Sequence, residues 1–124
     1  MHLDTHVVVW LYEDKVASLP TSVRRLLDSE PLVVSPMVGF ELDLLHEIGR
    51  TAGPSAEVLT GLGRSVGLTV SPAPFPAVVT TAAGLRWTRD PFDRLICAQA
   101  IVDATTLLTR DRRIHAHLDR ARWD

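Results

Sequence analysis

The chain has 124 residues, 46% of them hydrophobic and 23% charged, and its formal net charge is −2 at pH 7. This length and composition are typical of one globular domain with its own core, so residues 1–124 are interpreted as a single domain. The negative balance argues against a protein that holds nucleic acid by charge alone.

Membrane and secretory segments are not expected. No apolar run approaches the ~20 residues that a membrane-spanning helix needs. Residues 1–4 provide no basic segment ahead of an apolar stretch, so no signal peptide is predicted. The single cysteine, Cys97, cannot form an internal disulfide. Together these features predict a reduced, cytoplasmic protein.

The first predicted element has two alternatives. By composition, residues 7–9 (three valines) resemble a buried strand. The other possibility is a very short strand up to Asp4, followed by a helix from Thr5 to about Tyr12. Propensity favours the first alternative. An amphipathic helix is then predicted over residues 20–28, with Thr21 or Ser22 as its N-cap, and a short buried strand over residues 32–34.

Ser35 followed by Pro36 predicts the start of the next helix, because a capping residue precedes a proline at the first helical position. Gly49 lies close to the expected end of this helix. One helical stripe carries Met37, Glu41, Leu44, Leu45 and Ile48. Glu41 is therefore a carboxylate within an apolar stripe, which is unfavourable unless the carboxylate has a partner.

Residues 51–76 are the least informative third of the chain. A helix is expected over residues 56–63 and a strand over residues 68–70, whereas residues 71–76 are too rich in proline for either element. A short helix over residues 77–85 follows.

The segment from Arg89 to Arg94 has the features of a helix start. Asp90 suits the N-cap and Pro91 the first helical position, and the carboxylate of Asp93 falls where it can reach free backbone N–H groups. The helix that follows has no polar face, so we expect it to be buried on most sides.

The last elements complete an alternation of short strands and helices. A strand is predicted over residues 106–108 and a helix starting at Thr109, with Thr109 as a possible cap. Residues 120–124 could form an edge strand or a frayed tail. This alternation predicts a three-layer α/β/α domain around a short central parallel sheet of four to five strands.

Four acidic residues, Asp4, Glu41, Asp93 and Asp111, are placed where they can meet. Asp4, Glu41 and Asp111 follow predicted strands, and the crevice of an open parallel sheet lies at the carboxyl ends of its strands. Asp93 reaches this crevice if its helix points there. Carboxylates that converge repel one another unless a cation neutralises them, and oxygen ligands suit Mg²⁺ or Mn²⁺ rather than zinc. A bound divalent ion beside a general base supports phosphodiester hydrolysis.

Each acid also has a structural explanation. Asp4 could be a helix N-cap, Asp93 the third residue of a capped helix, and Asp111 a first-turn acid favoured by the helix dipole. Glu41 is the hardest to explain in this way. Spacing alone leaves a shared site and a set of caps equally open.

The sequence resembles the PIN-domain ribonucleases, and within them the VapC-like toxins of bacterial toxin–antitoxin pairs, from Leu3 to about Ile114. The matching segments are residues 3–6 with Trp10, Ser35 six residues before Glu41 with Gly49 and Arg50, residues 89–96 with 98–100, and residues 108–111. Residues 89–96 are the most specific of these. The resemblance favours the short first strand followed by a helix from Thr5.

The resemblance implies a PIN-like fold and a metal-dependent endoribonuclease. Asp4 and Asp93 match the principal metal ligands of the family, Glu41 its site glutamate, and Asp111 its more variable fourth acid. Asp90 also belongs to a motif of the family, but it is better interpreted as a helix N-cap than as a metal ligand. The implied cofactor is Mg²⁺ or Mn²⁺.

The resemblance also implies an RNA substrate, a cognate antitoxin that inserts a segment near the acidic crevice, and a homodimer. Thr5 and Thr109 resemble the small hydroxyl residues that flank the family's site. Many relatives carry a basic residue one turn after the glutamate, where this chain has Leu45 and His46. Candidate RNA or antitoxin contacts are Arg89, Arg94, Arg110 and Arg112. A nuclease of RNA processing and a non-catalytic binding module remain as alternative functions.

Overall fold

Five short parallel strands form the central sheet. The computed structural model, which describes residues 1–51 and 53–124, orders them β3-β2-β1-β4-β5, and every neighbouring pair is parallel. The strands are β1 (His2–Leu3), β2 (Val33–Val34), β3 (Thr69–Val70), β4 (Leu107–Leu108) and β5 (Ala121–Arg122). The C-terminal residues thus form an edge strand, which decides between the two predicted alternatives for this segment.

Seven helices cover this sheet within the described residues, and the predicted three-layer α/β/α architecture is confirmed. They are α1 (Thr5–Tyr12), α2 (Thr21–Ser29), α3 (Pro36–Glu47), α4 (Ser55–Val66), α5 (Phe75–Ala83), α6 (Pro91–Val102) and α7 (Arg112–His117). A single 3₁₀ turn, Val16–Ser18, joins α1 to α2. Helix α5 packs on α6, and α3 contacts both α4 and α6. No described helix combines the length and apolar character needed to cross a bilayer.

The first strand is short and the valines after it are helical, as the family resemblance implies. Asp4 has extended backbone angles, and its carboxylate accepts a hydrogen bond from the Thr5 N–H at the start of α1. Val7 and Val8 are fully buried against the core. Burial of one helical face therefore overrides the β-propensity of the valines.

Three predicted helix starts are wrong in detail. Pro20 is the N-cap of α2 and provides no side-chain cap, while Thr21 lies inside the helix and accepts a hydrogen bond from Arg24. Helix α7 is capped by Asp111 rather than Thr109. Helix α5 begins at Phe75, inside the proline-rich segment, because proline is compatible with the first turn of a helix.

The buried face of α3 differs from the predicted stripe. Val38 and Leu42 are the fully buried large side chains of this helix, whereas Ile48 is 66% exposed. Glu41 and Leu45 are half-buried beside that face. Glu41 thus lies at the border of the core. Its carboxylate lines a cleft and is not packed among apolar side chains.

Helix α6 is the most buried helix, and its one strongly polar core residue has partners. The Gln99 amide donates to Ser71 Oγ at 2.9 Å and accepts from Ser35 Oγ at 3.2 Å. These two serines follow β3 and β2, so Gln99 ties α6 to the ends of two strands. Ala52, within the segment 51–76 to which the sequence assigns no motif, lies outside the described residues.

Candidate active site

The strand order reverses direction between β1 and β4, which are neighbours in the sheet. Leu3 pairs with Leu108 in register, so the next residues, Asp4 and Thr109, leave the sheet side by side. In open parallel sheets ligands bind in the crevice at such a switch point. The topology therefore opens a crevice beside Asp4.

Asp4 is held at both carboxylate oxygens. The Thr5 N–H donates to Oδ1 at 2.8 Å, and the Thr109 hydroxyl donates to Oδ2 at 2.6 Å. Only 6% of the Asp4 surface is exposed, and Thr109 is fully buried. The helix-cap explanation of Asp4 is thus correct, and it leaves the carboxylate fixed at the edge of the crevice.

Asp111 is fixed through one oxygen only. Its Oδ1 accepts from the N–H groups of Arg113 at 2.8 Å and Ile114 at 3.1 Å, which is how it caps α7. The Asp111 N–H donates to the Thr109 hydroxyl at 3.1 Å. Thr109 therefore links Asp4 to Asp111, while Asp111 Oδ2 has no hydrogen bond within the described chain.

The carboxylates of Asp90 and Asp93 have different partners. Asp90 Oδ1 accepts from the N–H groups of Phe92 at 2.8 Å and Asp93 at 3.3 Å. No hydrogen bond within residues 1–51 and 53–124 engages the Asp93 carboxylate. Asp90 caps α6 as the sequence predicts, and the Asp93 side chain is left facing the crevice.

One cleft of about 310 Å³ is lined by all four predicted acids, Asp4, Glu41, Asp93 and Asp111. The sequence therefore identifies a set of carboxylates that the fold does bring together. Arg50 also lines this cleft. It lies beyond the end of α3, so it brings a basic side chain to the acids from a position that helical spacing does not indicate.

The pKa values of two of these acids reflect burial and the closeness of the other carboxylates. The pKa of Asp93 is raised to about 7 by burial and then by the negative charges of Asp90, Asp4, Asp111 and Glu41. Burial also raises the pKa of Glu41; the nearby Thr5 hydroxyl opposes this rise, and Asp4 adds to it. Burial and the repulsion between neighbouring carboxylates thus both disfavour the ionised form of these acids.

His6 belongs to the same cleft, and the sequence assigns it no role. Its Nε2 accepts from the Arg110 N–H at 3.1 Å, so the ring proton is assigned to Nδ1, which lies 3.4 Å from Asp4 Oδ2. Burial lowers the pKa of His6 against the opposing effect of Asp4 and Asp111. The sequence signals for His6 are its position two residues after Asp4 and its place in the segment 3–6 that resembles the PIN family.

The four candidate arginines separate into two pairs. Arg94 donates to the carbonyls of Ala82 at 3.0 Å and Ala83 at 2.9 Å, so its guanidinium stabilises the end of α5. Arg89 and Arg94 line a separate apolar cavity. Arg110 and Arg112 line a cavity that adjoins the acidic cleft and shares Asp111 with it.

The donor set of the cleft suits a hard divalent cation, because its acids offer only oxygen. The Thr5 hydroxyl is buried there without a hydrogen-bond partner of good geometry in the described structure. No three His, Cys, Asp or Glu side chains within the described ranges are close enough to hold an ion as they stand. A cation held by one or two of these carboxylates would complete its coordination with water.

The PIN domain family model matches residues 1–121, so the chain belongs to the PIN domain family. It is 34% identical over 122 residues to Ribonuclease VapC22 of Mycobacterium tuberculosis, an alignment that covers 93% of this chain and 89% of that relative. The fold is similar to one chain of the crystal structure of VapBC2 from Rickettsia felis bound to a DNA fragment from their promoter. The TM-score is 0.70 at 17% identity, over 99% of this chain and 98% of that one. The resemblance to VapC-like PIN proteins is thereby confirmed.

Proposed function

We propose that this protein is a VapC-type endoribonuclease that hydrolyses RNA phosphodiester bonds with the help of Mg²⁺ or Mn²⁺. The observation that carries the proposal is the convergence of Asp4, Glu41, Asp93 and Asp111 on one cleft, where burial and then the neighbouring negative charges raise the pKa of Asp93 to about 7. The relation to Ribonuclease VapC22 supports RNA as the substrate.

Asp4 and Asp93 are the residues that would hold the cation, with Glu41 and Asp111 beside them. When bound, a divalent ion supplies charge neutralisation, an activated water and stabilisation of the phosphate that is attacked. The Asp93 carboxylate and Asp111 Oδ2 accept no hydrogen bond from the described chain, and each Asp4 oxygen accepts only one, which leaves it a second lone pair for a cation. Their excess negative charge is what a cation would relieve.

The remaining groups of the cleft have positioning roles in this proposal. Thr109 and the Thr5 N–H hold Asp4 in one orientation. Glu41, half-buried and with a raised pKa, can accept or hold a proton near the attacking water. Arg50 provides a positive side chain that can bind an RNA phosphate next to the acids.

We further propose that the protein is the toxin of a toxin–antitoxin pair, that it works in the cytoplasm and that it forms a homodimer. The VapBC2 complex shares its fold, which supports an antitoxin as partner. A small open reading frame immediately upstream, encoding a DNA-binding antitoxin, would support the toxin. An isolated gene would favour the alternative of a PIN nuclease in RNA processing.

The test is cleavage of structured RNA by the parent protein with Mn²⁺, with EDTA, and after the substitution Asp93→Asn. We expect cleavage only with the metal and a loss of more than about 100-fold in the variant, since a removed ligand disables the charge stabilisation. Asp28→Asn, an exposed acid on α2, is the matched control and should cleave normally. Undiminished cleavage by folded Asp93→Asn would contradict the mechanism.

Thermal unfolding distinguishes the third alternative, a binding module without catalysis. Millimolar Mn²⁺ should raise the Tm of the parent protein and of Asp28→Asn, because a ligand that binds only the folded state stabilises it. The Tm of Asp93→Asn should rise less. An identical Tm with and without Mn²⁺ would favour the non-catalytic module.

A further inference from the structure

Trp10 lines the acidic cleft and also the two cavities that adjoin it. One of these, of about 520 Å³, contains His6, Arg110 and Arg112. The other, of about 380 Å³, lies between Trp10 and Trp123. The acidic cleft therefore continues past α1 into a second groove, which we call the tryptophan groove: Trp10, Trp123, Lys15, Leu19 and Arg110.

In this groove no described aromatic ring lies flat on the indole of Trp10 or Trp123, and both side chains are half-buried with part of their surface packed against the core. Trp10 meets His6 at a centroid distance of 4.9 Å and Trp123 at 5.8 Å, and in both pairs the planes are inclined by 63°. No partner therefore lies flat on Trp10. Trp87, the third tryptophan, is different, because His117 stacks on it at 5.0 Å with an angle of only 5°.

Cations line this groove and the adjoining cavity: Arg110 lines both, and Arg112 lines only the adjoining cavity. Arg110 and Arg112 are exposed, and their guanidinium groups make no hydrogen bond or ion pair with any described residue, in contrast to Arg94 and Arg113, which bind backbone carbonyls. Lys15 is exposed too, although its ammonium pairs with Glu13 at 2.6 Å. Two positive charges without a partner in the described chain thus line cavities that also contain Trp10.

We propose that the tryptophan groove is a subsite for a single-stranded nucleotide of the RNA, with its base stacked on Trp10 or Trp123 and its phosphate bound by Arg110. This inference rests on the proposed nuclease function. It extends that function because it specifies the path of the RNA chain beyond the acidic cleft. Stacking on aromatic side chains beside arginine is the usual mode of binding unpaired nucleotides.

The geometry favours RNA over a protein segment as the occupant. A phosphodiester bond placed at the four acids has neighbouring nucleotides on both sides, and the groove shares Trp10 with the cleft. The next nucleotide along the strand is therefore within reach of the indole ring. A flat base with an attached phosphate matches a half-buried indole beside arginine, whereas an apolar helix would leave those charges without partners.

Binding is measured with a fluorescein-labelled single-stranded oligoadenylate and the Asp93→Asn protein in EDTA, so that neither cleavage nor metal affects the signal. In this background Trp10→Leu and Trp123→Leu should each weaken binding by about tenfold or more. Trp87→Leu is the matched control and should bind like the background protein. Duplex RNA of the same length should compete poorly, because paired bases cannot stack on a side chain.

Circular dichroism must show that each variant is folded. Trp123 lies beyond the last strand, so Trp123→Leu tests the proposal even if Trp10→Leu is destabilised. In the metal-loaded enzyme, folded Trp variants should raise the KM for RNA more than they lower kcat.

Two results would overturn the proposal: no oligoadenylate binding by the background protein, or folded Trp10→Leu and Trp123→Leu variants that both bind oligoadenylate as tightly as the background protein. Failure of the nuclease proposal is separate, since it appears as absent cleavage with Mn²⁺ while oligoadenylate still binds.

Discussion

The Thr109 hydroxyl donates a 2.6 Å hydrogen bond to Asp4 Oδ2 across 105 residues of sequence. The parallel pairing of β1 with β4 creates this contact, because Leu3 and Leu108 are in register and the next residue of each strand lies at the same edge. The same hydroxyl accepts from the Asp111 N–H at 3.1 Å. A neutral, fully buried side chain thus sets the relative position of two of the acids.

Replacing Thr109 with valine should weaken both the fold and the site. Valine has nearly the shape of threonine but cannot bond to Asp4 or Asp111, so we expect a loss of about 1–3 kcal/mol in the free energy of unfolding. RNA cleavage should require more Mn²⁺ for half-maximal rate, because Asp4 is no longer held. Urea unfolding and a Mn²⁺ titration of activity measure the two effects.

Thr109→Ser keeps the hydroxyl and is the control for this prediction. It should restore the Mn²⁺ requirement to that of the parent protein. An unchanged Mn²⁺ requirement in Thr109→Val would mean that the hydrogen bond has only a structural role.

Asp93 should destabilise the metal-free fold at neutral pH. Its pKa is about 7 in the folded protein against 3.8 for the ordinary carboxyl, so between these pH values the folded state holds a proton that the unfolded state has lost. The free energy of unfolding contributed by this group therefore falls as the pH rises through that window. Asp93→Asn, which cannot ionise, should be more stable than the parent protein above pH 7, by an amount on the order of 2 kcal/mol after allowance for solvent screening.

This comparison uses guanidinium unfolding in EDTA at several pH values. The difference between the two proteins should be small near pH 4 and grow towards pH 8. Asp28→Asn, on the exposed side of α2, should show no such pH-dependent gain. A difference that is constant with pH would contradict the role of Asp93 ionisation.

Gln99 should be important for stability. Gln99→Leu removes hydrogen bonds to Ser35 and Ser71, so we expect a loss of about 1–3 kcal/mol, measured by urea unfolding. Part of this loss comes from the serine hydroxyls left without a partner. Combining Gln99→Leu with Ser71→Ala should therefore cost less than the sum of the single changes. Strict additivity would show that the network is not coupled.

Cys97 should be unreactive in the folded protein. The thiol is fully buried in α6, and burial, together with the charges of Asp4, Asp93 and Asp111, raises its pKa to about 12. We expect Ellman's reagent at pH 8 to label the protein only at the rate of unfolding, and to label it fully in guanidinium. The chain has one cysteine, so no variant is needed to assign the signal. Rapid labelling without denaturant would contradict the burial of this helix.

The helix starts that the sequence predicts correctly are those marked by a capping residue and a proline. Ser35 with Pro36 and Asp90 with Pro91 begin helices as expected, because a capping side chain followed by proline is a local feature. The start of α7 was missed since Thr109 and Asp111 are both possible caps. Thr109 does not cap α7, and its hydroxyl instead donates a hydrogen bond to Asp4. This contact joins distant parts of the sequence, so no local pattern predicts it.

In the candidate site, too, local sequence features could be predicted and contacts between distant segments could not. The four acids could be grouped because each lies near a strand end or a helix start. His6 and Arg50 lie in segments that match the family, but no role could be assigned to them from the sequence, because their approach to the cleft depends on how α1 and the residues after α3 pack. The stripe of α3 was assigned to the wrong face for a related reason, because 3.6-residue periodicity gives neighbouring stripes and only packing selects Val38 and Leu42 for the core.

The central position of β1 has a consequence for synthesis on the ribosome. This first strand lies between β2 and β4, and Asp111 follows β4 near the end of the chain. A nascent chain that has not yet reached residue 108 lacks the β4 edge, Thr109 and Asp111. Such a chain can hold Asp4 and Glu41 but not the complete cleft. In a protein that cleaves RNA, the complete site would thus form only after the residues beyond 108 have been synthesised and β4 has paired with β1.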